Sequence, residues 1–121
     1  MFVTYVMVTI MAAAANIYAA TNDFIRPEWL LSSMTKLGVQ ESRLPILGIL
    51  KAAGGVGLLI GFAVPVIGVA AAIGLILFFV AAITTHLRAR DYSFGVAVMF
   101  LLLAVAALVL AIYVRAPTIW P

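Results

Sequence analysis

The chain contains no cysteine, and its 121 residues include only four carboxylates and one histidine. Without thiols, disulfides, thiolate metal centres and dithiol relays are excluded. One histidine and four carboxylates cannot furnish a haem pair or the Glu and Glu-x-x-His set of a di-iron bundle, so no metal site is expected. Charge is scarce too: charged residues make up 9% and hydrophobic residues 67%, against about 25% and about 45–50% in soluble domains. With a mean hydropathy of +1.29, there is too little polar surface to cover a water-soluble globule, and apolar side chains must face lipid. No G-x-S-x-G, Walker loop or dinucleotide fingerprint is present. The net charge of +3 comes from basic residues scattered at the ends of apolar runs, where they orient membrane spans, so nucleic-acid binding is not expected.

What is there is a series of long apolar runs. A spanning helix takes roughly 20 residues, so four fit with room for loops and six do not. The first run covers about 1–20, broken only by Thr4, Thr9 and Asn16. No Lys or Arg precedes it, which favours a span over a cleaved signal peptide. Residues 22–45 form one long amphipathic loop that mixes Arg26, Glu28, Lys36, Glu41 and Arg43 with Trp29, Leu30, Leu31, Met34 and Leu37; a short interfacial helix is expected there. Pro45 suits the first turn of the second span, about 46–64. Pro65 marks a tight, uncharged turn before the third, about 66–85, and the fourth covers about 94–114. The expectation is an all-α membrane protein, one domain over 1–121, built as a four-transmembrane up-down-up-down bundle. No exported drug cation is expected, because no Asp or Glu lies inside any expected span to exchange protons.

Short links make neighbouring spans antiparallel, so both termini share one side. The long loop and the third loop, 87–93, share the other, with Arg26, Lys36, Arg43, Arg88 and Arg90. The excess of Lys and Arg predicts that loops 22–45 and 87–93 are cytoplasmic and the termini external. Aromatic residues fall at both rims, among them Tyr5, Tyr113 and Trp120 on one side and Tyr18, Trp29 and Tyr92 on the other, and are read as interfacial anchors. Ala53, Gly57 and Gly61 give span two one small face, which a row of Ala12, Asn16 and Ala20 on span one matches for close packing.

The polar residues within the spans converge on one leaflet. Asn16 lies near the loop end of span one, Lys51 about two turns into span two, and Thr84, Thr85 and His86 at the loop end of span three. Asp23 and Asp91 lie just beyond the same rim as counter-charges. A lysine at that depth needs a wet cavity, a carboxylate or a snorkelling path to the interface. The candidate ligand pocket is therefore Asn16, Asp23, Lys51, Thr84, Thr85, His86 and Asp91. Snorkelling of Lys51 and helix-terminus stabilisation by His86 remain open as the bland alternatives.

The segments Thr35-Lys36-Leu37-Gly38-Val39, Leu47 to Leu59 with its Lys51-Ala52-Ala53-Gly54-Gly55 centre, and Ala71-Ala72-Ile73-Gly74-Leu75 leading to His86-Leu87-Arg88 resemble the DoxX-like family of small four-helix membrane proteins. The resemblance implies a DoxX/SURF4-type bundle, in a family named for a membrane subunit of a thiosulfate:quinone oxidoreductase; the residues themselves call for no cofactor, and the resemblance admits a quinone as the one candidate. Members often carry an acidic residue on span two about where this chain has Lys51. Two functions are expected as alternatives. The favoured one is a non-catalytic or quinone-adjacent subunit or scaffold of a membrane redox complex. The other is a small isomerase- or cyclase-like enzyme that uses Lys51 and His86 for acid–base chemistry on a lipophilic substrate. Expected partners are membrane lipid, a lipophilic small molecule, and a membrane protein or a second copy.

Overall fold

A computed structural model describes residues 2–25, 27–38, 43–90 and 95–119. Those residues form five helices and no strand: α1 (Phe2–Ile25), α2 (Glu28–Leu37), α3 (Leu44–Ile60), α4 (Pro65–Arg88) and α5 (Gly95–Ile119). By length and apolarity α1, α4 and the Gly95–Arg115 part of α5 are sufficient to cross a membrane, whereas α3 is apolar but shorter, at 17 residues.

The helix ends differ from the sequence expectation for local reasons. α1 continues past residue 20 to Ile25: the Thr21 hydroxyl is satisfied within the helix by the Ile17 carbonyl at 2.9 Å, and Asp23 finds a charge partner on α3. α3 stops at Ile60, where the Ala63 and Val64 amides both donate to the Ile60 carbonyl at 2.9 Å and close a turn. Pro65 then forces Val64 into extended backbone (φ −126°, ψ 92°) and opens α4. Within the amphipathic loop, α2 begins after Pro27 and ends on Gly38. Gly38 adopts φ 73°, and its amide donates to the Met34 and Thr35 carbonyls, a left-handed cap that glycine adopts without steric cost. Glu28 in the first turn and Lys36 in the last complement the dipole of α2.

Helices α1, α3, α4 and α5 close into a ring in which α1 touches α3 and α5, and α4 touches the same two. Neighbours run antiparallel. On α3, Gly48 lies against Phe24 and Asp23, whereas Gly55 lies against Ile17 and the Ala13 carbonyl. Gly57 and Gly61 turn instead toward α4: a methyl group on Gly61 would sit 2.5 Å from the Gly68 Cα, and one on Gly57 2.7 Å from the Ala71 Cβ. This corrects the expected pairing of the Gly57/Gly61 face with α1. The tight turn at 61–64 holds the start of α4 against the end of α3, so the smallest residues are needed there, and α1 packs on Gly48 and Gly55 of another face. Alanines fill the remaining core, with Ala12, Ala13, Ala72, Ala104 and Ala107 around Leu58, Leu75 and Phe79, as expected where backbones must approach closely in lipid.

One end of the ring is fastened by Arg115, which donates to the Tyr5 Oη at 3.3 Å and to the Phe62 carbonyl at 3.2 Å. Tyr5 meets the Phe62 ring edge-on at 5.5 Å. The start of α1, the α3–α4 turn and the end of α5 thus lie together, and α2 lies at the other end.

Candidate functional site

At the α2 end the ring opens into a cavity of about 980 Å³. Its polar centre follows from helical spacing. Asn16 and Asp23 are two turns apart on the buried face of α1, and the antiparallel course of α3 brings Lys51, two turns from the start of that helix, level with Asp23. Lys51 Nζ lies 3.0 Å from Asp23 Oδ2. The two side chains are unequally covered: Asp23 is 1% exposed and Lys51 15%. The carboxylate is thus hidden behind the lysine, and the cavity wall presents the ammonium. From α4, Phe78 places its ring 5.5 Å from Lys51 Nζ, a second favourable surface for a cation taken out of water.

Around that centre the walls are apolar. α3 and α4 contribute Leu47, Leu50, Gly54, Gly74, Leu75 and Phe78, and α5 contributes Phe100. Phe79 packs edge-on against both Phe78 and Phe100, with ring centroids 5.1 and 5.2 Å away. A methyl group on Gly74 would meet nothing within 4 Å, so this glycine opens onto space, whereas one on Gly54 would collide with the Leu75 side chain. Trp29, Leu30 and Met34 of α2 lie over the cavity, and Arg43 stands exposed at the start of α3 on the same wall. Thr85 and His86 line it from the end of α4. The Thr85 hydroxyl donates to the Ala81 carbonyl at 2.9 Å.

Asp23, Lys51, Thr85 and His86 therefore share one cavity. Asn16 is placed elsewhere: it is buried inside the ring and donates through Nδ2 to the Ala12 carbonyl at 2.8 Å, one turn below. Thr84 is on an exposed face and donates to the Val80 carbonyl at 2.9 Å. Asp91 lies outside the described residues. Three parts of the site escaped sequence reasoning. Tyr18 and Trp29, expected as rim anchors, also line the cavity. The apolar face of α2 was assigned to the headgroup layer, although Leu30 is buried. Gly74 gave no signal beyond its place in a Gly- and Ala-rich run. Among the described residues there is no group of three His, Asp or Glu able to hold a metal ion.

Neither the curated proteins nor the solved structures contain a match to the chain. A family comparison does match, over residues 7–109. That stretch takes in most of α1, all of α2, α3 and α4, and the greater part of α5, and with them every described wall of the cavity. On that match the chain is a multi-pass integral membrane protein that belongs to the DoxX-like family.

Proposed function

We propose that the protein is a four-span membrane subunit that holds an amphiphilic lipophile in the cavity beneath α2 without transforming it. The observation that carries this reading is the Lys51 ammonium, presented on the wall of an otherwise apolar cavity of about 980 Å³ while its counter-charge Asp23 is hidden. Sites for single small molecules have this character, apolar walls with a few placed polar groups and volumes of about 300–1,000 Å³. The Lys51 donors suit a head that accepts hydrogen bonds, and the carbonyl oxygens of a quinone ring are one such head. In this reading the engagement with Asp23 and Phe78 gives Lys51 a positioning role.

In this reading α3 is the fourth span. At 17 residues it reaches about 25 Å, the lower limit for a crossing helix. The end that carries α2, Lys36, Arg43, Arg88 and Arg90 faces the cytoplasm, by the excess of Lys and Arg there.

Purification in a mild neutral detergent, followed by mass spectrometry of co-purifying small molecules, tests the reading. Gly74→Phe fills the cavity from a position where added atoms meet open space. The wild-type protein should carry a lipophile that the folded Gly74→Phe protein lacks. Equal ligand content in both would overturn the reading.

A further inference from the structure

The cavity has a shape and a charge that narrow its occupant further. Along α4 its lining runs from Ala71 to His86, about 22 Å of helix axis. Along α3 it runs from Arg43 to Gly54, about 16 Å. The space is therefore elongated along the helices, and it is apolar over the inner part, where Gly74 leaves room. Its described charged lining consists of Arg43, Lys51 and Asp23. Asp23 is buried against Lys51, so one positive charge is left in excess, at the rim where Arg43 is exposed. An ammonium has three donors, and contact with one carboxylate oxygen leaves others available to a second acceptor.

We infer that the occupant is a single-chain anionic amphiphile, whose carboxylate or phosphate head is held between Arg43 at the rim and Lys51 below it, and whose chain lies along α3 and α4 toward Gly74. The inference rests on the binding reading above and adds the sign of the head and the form of the tail. A planar guanidinium at the rim suits either head, because both carboxylate and phosphate oxygens accept its parallel donors. The volume, at the upper end for a site that encloses one small molecule, accommodates one chain and its head.

The test uses the full chain in a neutral maltoside detergent, with Trp120→Phe so that emission reports Trp29 of the cavity lining. The probes are 9,10-dibromostearate, a lysophosphatidate with the same brominated chain, and the corresponding neutral alcohol; bromine quenches indole at short range. At least one anionic probe should quench with an apparent Kd at least tenfold below that of the alcohol, and the stronger of the two identifies the head. Arg43→Gln should bring that probe within threefold of the alcohol. Equal quenching by all three probes, abolished by Gly74→Phe, would overturn the anionic inference while the binding reading stands with a neutral head. A tenfold preference that Arg43→Gln leaves intact would overturn the placement of the head at Arg43 while the binding reading stands. Quenching that Gly74→Phe leaves untouched would overturn both.

Discussion

The two charges of the Asp23–Lys51 pair are covered so unequally that losing one should cost more than losing the other. Lys51→Met removes the ammonium and leaves a carboxylate that is 1% exposed in a protein interior surrounded by lipid. A buried charge stripped of its partner costs about 3–5 kcal/mol. Asp23→Leu leaves the other half, and Lys51 is better placed to bear the loss. It is 15% exposed on the cavity wall, keeps the Phe78 face, and has a flexible stem that extends toward the rim. About 1–3 kcal/mol is expected there, the cost of one unsatisfied polar group. The double variant removes both charges and both desolvation costs, and should lie close to the wild type. Equilibrium unfolding in mixed micelles, followed by far-ultraviolet circular dichroism, measures all four proteins. The expected result is a coupling of about 3 kcal/mol or more, from the same costs, with Lys51→Met the worse single variant. Additivity within about 0.5 kcal/mol would show that the pair carries no energy. A worse Asp23→Leu variant would refute the claim that the carboxylate, not the ammonium, is the hidden charge.

Other outcomes follow from the packing and the charge distribution. The natural chain has no cysteine, so Ser32→Cys on α2 and Ala63→Cys in the α3–α4 turn, both exposed positions, should be labelled from opposite sides of a sealed membrane, with position 32 reached from the cytoplasm; labelling of both from one side would refute α3 as a span. Gly61→Ala places its methyl group 2.5 Å from the Gly68 Cα and should destabilise by about 1–3 kcal/mol as α3 and α4 are forced apart. Gly74→Ala meets nothing and should be neutral or gain up to about 1 kcal/mol of helix propensity in the same unfolding assay. Arg115→Met, which loses the bonds to Tyr5 and Phe62, should cost about 1–3 kcal/mol and raise hydrogen exchange at the 61–64 turn.

The long helices and their order were legible in the sequence because length and apolarity alone specify them in lipid. Helix ends were legible where a proline or glycine sets the backbone, as at Pro65 and Gly38, and were missed where a tertiary partner decides. Asp23 was expected as a counter-charge just beyond the end of span one, but the sequence did not show that pairing with Lys51 of α3 lets α1 run on past it. The convergence of Lys51, Asp23 and His86 on one leaflet was legible from helical rise. Asn16 shares a buried face of α1 with Asp23 but lies two turns, about 10 Å, deeper along the helix, inside the ring rather than on the cavity wall, and its amide donates to the Ala12 carbonyl. The two small-residue faces of α3 show the same limit. Gly57 and Gly61 recur at helical spacing, but only the chain path through the turn decides that α4 is their partner.

The cavity itself follows from a difference in length between two neighbouring helices. α3 has 17 residues and α4 has 24, and the tight turn at 61–64 aligns them at the end fastened by Arg115. All of the deficit, about 10 Å of axis, therefore falls at the opposite end, where α4 extends beyond the start of α3 through Thr85 and His86. A ring of four helices with one short member is left with a gap in its wall at that level. α2 lies across this region and touches α4, and its Trp29, Leu30 and Met34 cover space that a longer α3 would fill. The same shortening sets the chemistry. It brings the exposed Arg43 to the edge of the gap, and it lets Lys51, only two turns farther along α3, present its charge to the cavity rather than to closely packed neighbours.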